Sequence, residues 1–275
     1  MADWRVFPLC PLWFLCPSPR KRQVGGANRG HSALEAGKHV LCEKPIASNT
    51  AEAERMADAA RRTGRVLVEA FHWRYHPLAA RMRAIIDSGE LGTVRHVEAH
   101  MCIPLPVPGD IRYRLDLAGG ATMDTGCYAI NIARFLAGAE PEVVRAAARL
   151  SSPGVDRAME ADLRFPDGST GRITCSLLSA VLLRISARVR GDRGEMAVFN
   201  PVVPQLLNWI TVRTAAGKRR ERIAGDPTYT YQLRAFVEAV RTGARVPTGP
   251  DSAIANMRVI DAVYRKAGLQ PRGTL

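Results

Sequence analysis

At 275 residues, with 47% hydrophobic and 24% charged side chains, the chain can bury a sizeable core and sits with soluble globular proteins of one large or two modest domains. Its net charge of +13 comes almost wholly from arginine, because lysine occurs only at positions 21, 38, 44, 218 and 266. The arginines are scattered, and the clusters Arg20-Lys21-Arg22 and Lys218-Arg219-Arg220 carry no interleaved aromatics, so a nucleic-acid partner is not expected. Six cysteines form no C-x-x-C pair, which argues against zinc and for reduced thiols in a cytoplasmic protein. No apolar run reaches the roughly 18 residues that span a membrane, so no membrane partner is expected.

Residues 1–30 differ from the rest. Met1 to Pro19 is apolar but interrupted by Pro8, Pro11, Pro17 and Pro19, and its basic cluster follows the apolar run, where a signal peptide has its charge in front. This segment reads as an irregular leader, artefactual in origin. From His31 the pattern is regular. Ser32 to Ala36 reads as the end of a helix stopped by Gly37, and Val40 to Cys42 as a buried strand running into the charged tip Glu43-Lys44-Pro45. Asn49 with Glu52 three residues on marks a helix start, Gly64 a stop, and Val66 to Ala70 a second buried strand. Strand, helix and strand make a βαβ unit with parallel strands. Ligands of such sheets sit beyond the carboxyl ends of the strands, so Lys44 is well placed for chemistry.

Beyond Phe71-His-Trp-Arg-Tyr-His-Pro77 the character changes. A helix at 78–88 and a strand at 94–101 lead through a Pro-rich loop at 104–108 to Asp110-Ile-Arg-Tyr-Arg-Leu-Asp116, and a helix over 121–136 follows. Short alternating segments near 143–150, 158–165, 169–177, 184–190, 194–199 and 206–213 suggest an antiparallel meander covered by helices on one face. Helices near 229–242 and 251–267 close the chain. On the helix over 121–136 Asp124, Tyr128 and Asn131 fall at i, i+4 and i+7, three polar groups in line beside the apolar Met123, Cys127 and Ile130. Such a row is costly in a core unless paired or used.

Two stretches carry a family resemblance. Ala33-Leu-Glu-Ala-Gly-Lys-His-Val-Leu-Cys-Glu-Lys-Pro45 and Gly119-Gly-Ala-Thr-Met-Asp-Thr-Gly-Cys-Tyr-Ala-Ile-Asn131 together resemble the signatures of the Gfo/Idh/MocA oxidoreductases, the second in the tyrosine form of the branch with glucose–fructose oxidoreductase, xylose dehydrogenase and dihydrodiol dehydrogenase. The resemblance implies an α/β fold: a partial Rossmann-like parallel βαβ unit at 31–75, then a substrate and oligomerisation domain at 76–275 built on an open, mainly antiparallel sheet. It implies a homo-oligomer, dimer or tetramer, and hydride transfer between NAD or NADP and a hydroxyl of a sugar, polyol or cyclic dihydrodiol. Tyr128 would accept the hydroxyl proton, with the Lys44 ammonium lowering its pKa, or the two would exchange roles. Asp124 would orient Lys44, and Asn131 and Arg112 would hold substrate. Glu43, Lys44, Pro45 and Arg74 would lie against the cofactor. His72 and His76, at i and i+4, would suit a metal only with a third ligand, and none is expected. A dinucleotide fold also needs a Gly-rich turn after its first strand, and the sequence contains no G-x-G-x-x-G. The expectation is therefore an N-terminally truncated family member with an incomplete cofactor site. The rival reading is a catalytically inactive homologue that binds sugar or dimerises.

Overall fold

Regular structure begins earlier than the sequence suggests. A computed structural model describes residues 26–107 and 109–273, and in it helix α1 spans Gly26–Glu35. The last five residues assigned to the irregular leader are thus helical, while 1–25 lie outside the described residues. Strands β1 (Val40–Cys42) and β2 (Leu67–Glu69) pair in parallel, Val40 opposite Leu67, with helix α2 (Thr50–Thr63) as the crossover. The start of α2 is doubly tied. Asn49 Oδ1 accepts from the Glu52 amide at 3.0 Å, and the Glu52 carboxylate accepts from the Ser48 amide at 2.9 Å. Gly64, at φ 63°, closes the helix as its left-handed cap. β2 is fully buried, whereas β1, expected to be buried, is only half-buried. Its partner β2 is flanked on the other side by the chain near Thr248, whose carbonyl accepts from the Glu69 amide at 2.9 Å.

A 3₁₀ turn, His72–Tyr75, leads into helix α3 (Pro77–Asp87), capped by His76 Nδ1, which accepts from the Leu78 amide. The second sheet contains β3 (Val94–Cys102), β4 (Glu142–Ser152), β5 (Val155–Arg164), β6 (Thr170–Ser176), β7 (Arg184–Gly191), β8 (Gly194–Phe199), β9 (Trp209–Thr214) and β10 (Gly217–Glu221). Their order is β10-β9-β8-β7-β3-β6-β5-β4, antiparallel throughout except for β3 beside β6. The expected meander is therefore mixed at one place: β3 inserts between two oppositely directed strands and must run parallel to one of them. The Lys218-Arg219-Arg220 cluster, which gave no strand signal, lies in edge strand β10, where exposed charge guards an open edge.

The helix expected over 121–136 is two elements: a π-helical stretch, Thr122–Gly126, and helix α4 (Cys127–Ala137). α4 packs with helix α6 (Pro250–Lys266) on one face of the large sheet, burying Val97, Ala99, Ile130, Ile173, Val189, Met257 and Ile260. Helix α5 (Thr228–Thr242) packs against the His72 turn. The π stretch is set by a buried clamp. Asp156 accepts from the Thr122 amide at 2.7 Å and its hydroxyl at 2.6 Å, and on its other oxygen from Arg272 at 2.8 Å and Tyr264 at 3.0 Å. Gly120, at φ 141°, makes room for that carboxylate, since a Cβ there would stand 2.1 Å from Asp156 Oδ1.

Candidate active site

The site is built where the tip of β1 meets the start of α4, eighty residues apart in sequence. Lys44, reached through a cis Lys44–Pro45 peptide, points its ammonium at Asp124, donating to Oδ1 at 2.9 Å and to the Asp124 carbonyl at 2.6 Å. The other Asp124 oxygen accepts from Arg112 Nε at 2.9 Å, and Arg112 Nη1 also reaches Asp110 at 3.2 Å. Burial works against every charge here. For Asp124 the two cations outweigh that cost and hold its carboxyl below the usual range, and for Lys44 the carboxylate outweighs it and holds the ammonium above its usual pKa.

Tyr128 stands next to this group but not in it. Lys44 Nζ lies 4.7 Å from the Tyr128 ring centroid, over the face of the phenol rather than at its hydroxyl. The hydroxyl instead meets His72 Nε2 at 3.3 Å, and the ring packs edge-on against Phe71 at 5.3 Å. Burial, together with Tyr229 and other nearby groups, pushes the Tyr128 pKa well above its usual value. This corrects the expectation that Lys44 lowers it: at neutral pH Tyr128 holds its proton. His72 is 2% exposed, and burial followed by the Lys44 charge pushes its pKa down to about 3, so its imidazole is neutral. Its ring stacks at 4.3 Å on Tyr229 of α5.

Behind Lys44, the Glu69 carboxyl at the end of β2 accepts from the Ile46 amide at 2.9 Å, and burial pushes its pKa up to about 8. It ties down the segment immediately after Lys44-Pro45.

Comparison with known proteins gives one answer. Residues 18–71 match the NAD-binding Rossmann fold of an oxidoreductase family, and residues 79–197 match the GFO/IDH/MocA C-terminal domain. An uncharacterized oxidoreductase of Rhizobium meliloti is 35% identical over 260 residues, covering 91% of this chain and 76% of the relative. The chain belongs to the Gfo/Idh/MocA family of oxidoreductases. A D-xylose 1-dehydrogenase (NADP(+)) of Haloferax volcanii is 32% identical over 86% of this chain and 73% of its own length. A pig trans-1,2-dihydrobenzene-1,2-diol dehydrogenase is 32% identical over 67% of this chain and 56% of its own length. Among solved structures, an aldose-aldose oxidoreductase from Caulobacter crescentus, crystallised with glycerol, superposes with a TM-score of 0.84 at 27% identity over 90% of this chain and 76% of that one. A 3-ketoreductase from Actinomadura kijaniata, crystallised with NADP and TDP-benzene, gives 0.81 at 28% identity over 90% and 76%.

For a Gfo/Idh/MocA chain the described residues fit one end of a nicotinamide cofactor. Lys44 and Pro45 sit at the carboxyl end of a parallel strand, with exposed Glu43 beside them, where such sheets take ligands. The Gly-rich diphosphate turn is not built among the described residues. Arg74, expected near the cofactor, packs on Phe135, its guanidinium 4.5 Å from that ring, which lies two turns along α4 from Tyr128; burial lowers its pKa to about 10.

Two residues expected to hold substrate have protein partners in this structure. Asn131 is fully buried and directs its amide NH2 to Asn256 of α6 at 3.5 Å, while its Oδ1 has no partner among the described residues. Arg112 is engaged with Asp124 and Asp110. His72 and His76 turn to different partners, Tyr128 and the Leu78 amide, and among the described residues no cluster suits a metal. Sequence reasoning missed Asp110, Glu69 and Tyr229. Only Asp110, two residues before an arginine, carried a local signal.

Proposed function

We propose that the chain transfers a hydride between NAD or NADP and the carbon of a hydroxyl–ketone pair in a sugar, polyol or cyclic dihydrodiol. What carries this reading is the meeting of Lys44, Asp124 and Tyr128 from two distant segments at the end of a parallel strand. The bound nicotinamide would supply or accept the hydride. Tyr128, a buried phenol that keeps its proton, suits the ketone-reducing direction, giving that proton to the carbonyl oxygen as the carbon is reduced. Lys44, fixed by Asp124, presents a positive charge where oxygen gains electron density. The relatives that act on xylose and on dihydrodiols, and the ketoreductase holding NADP, support this substrate and cofactor class.

On this reading residues 31–75 form the nicotinamide end of the dinucleotide domain and 76–275 the substrate domain, in a cytoplasmic protein. A homo-oligomer is supported by apolar exposure at and beside the large sheet: Leu182 and Leu183, in the connection before β7, are 64% and 67% exposed, and Phe199 of β8 stacks on Trp209 of β9. A fluorescence titration with NADPH and NADH, beside a Lys44→Met, Tyr128→Phe double variant, tests the proposal. Saturable micromolar binding with ketone-dependent oxidation of the bound coenzyme is expected. A folded chain that binds neither coenzyme up to millimolar overturns it, and the sugar-binding homologue becomes the reading.

A further inference from the structure

The His72 imidazole has one partnered and one unpartnered nitrogen. Nε2 faces the Tyr128 oxygen at 3.3 Å, while Nδ1 is buried and meets no hydrogen-bonding group among the described residues. A neutral imidazole carries one proton, and its place is set by what each nitrogen can bond. A proton on Nδ1 would be an N–H stripped of water with nothing to receive it, a costly arrangement. A proton on Nε2 has the phenol oxygen to bond.

We infer that His72 is a positioning residue that donates its Nε2–H to the Tyr128 oxygen, leaving the phenol proton free to point at the substrate. The inference rests on the proposed hydride transfer. In the ketone-reducing direction the Tyr128 O–H bond breaks as its proton bonds the carbonyl oxygen, and the carbonyl carbon receives the hydride. The electron pair left on Tyr128 is a phenolate, whose ring Lys44 meets at 4.7 Å from the centroid. The His72 N–H is the group aimed at that oxygen, so it steadies the phenolate until water returns the proton. His72 itself stays neutral throughout. The titratable groups facing it are Tyr128 from α4, Tyr229 from α5 and, at longer range, Lys44 from the β1 tip; Tyr128 and Lys44 have their pKa values raised and keep their protons at neutral pH.

The experiment uses the full chain labelled with nitrogen-15 histidine, the His72 signals being identified by their loss in His72→Gln. Long-range proton–nitrogen correlation spectra at neutral pH are expected to show a neutral ring with its proton on Nε2. A proton on Nδ1, or a doubly protonated ring, overturns the inference. In turnover, His72→Met is expected to lower kcat about 100-fold with little change in KM, as for loss of one donor to a developing oxyanion. It should also move the basic limb of the pH profile upward. His72→Gln, whose amide N–H can reach the same oxygen, should restore most of the rate. Equal losses in both variants, or an unchanged kcat in His72→Met, also overturn it. Should the unaltered chain bind no coenzyme, the functional reading falls and the tautomer alone decides.

Discussion

Two ion-pair networks in this protein have nearly the same bond lengths and opposite settings. Lys44, Asp124, Arg112 and Asp110 are joined at 2.9–3.2 Å with the Lys44 and Asp124 side chains 4% and 7% exposed. Arg81, Glu221, Arg219 and Glu90 are joined at 2.6–2.9 Å across α3, β10 and the turn before β3, with the arginine side chains about 40% exposed. The outer network holds Glu221 down to about 2, chiefly through Arg81, yet water and salt screen it. The inner one is worth little as a net contribution, because desolvation offsets attraction, but each member is hard to remove singly. Bond length does not rank them. Burial does: it sets one network at a solvated sheet edge and the other in the interior, where the proposed chemistry lies.

The comparison is broken most severely by Lys44→Met. It leaves Asp124 buried with a single cation, and stability should fall by about 3 kcal/mol, the lower end for a broken buried pair, since Arg112 remains. Activity should be lost with it. Thermal melts and coenzyme-oxidation rates check both. Tyr128→Phe separates chemistry from structure within the buried group: kcat should drop by roughly 100- to 10,000-fold while stability changes by only about 1 kcal/mol.

Glu69→Gln sharpens the comparison with a third buried charge. The folded pKa of Glu69 is about 8 against an ordinary 4.5, so in that window the folded chain binds a proton that the unfolded chain has released. Its stabilising contribution is full below about pH 4.5 and is lost as pH rises through 8. Melting temperature should decline across this range in the unaltered chain and decline less in Glu69→Gln. Arg219→Ala is the smallest change, at most about 1 kcal/mol and vanishing in high salt, measured by denaturant titration at two ionic strengths.

What the sequence revealed follows the reach of each interaction. Lys44 at a strand tip and Asp124 within an apolar helix stood out because a charge in an apolar pattern is costly wherever it is. The mixed α/β architecture, with its short parallel and large mainly antiparallel sheets, was legible for the same reason: strand and helix periods are local. The parallel β3–β6 pair was not, since it depends on β3 slipping between strands that are themselves neighbours in sequence. The π turn is tied to Asp156, 34 residues beyond Thr122, and no local pattern shows that bond. The His72–Tyr128 contact spans 56 residues and needs a 3₁₀ turn after β2 that no periodicity announces.

The Asp156 clamp has a consequence for how the molecule is made. The π stretch bearing Asp124 is held by a carboxylate that is itself satisfied by Tyr264 and Arg272. Until residue 272 has been synthesised, that carboxylate lacks its counter-charge and the turn lacks its anchor. The proposed site therefore cannot take its final shape until the segment around Arg272 is in place, although Lys44 emerged early. A nascent chain that stalls near α6 would carry every proposed catalytic residue and still have no assembled site.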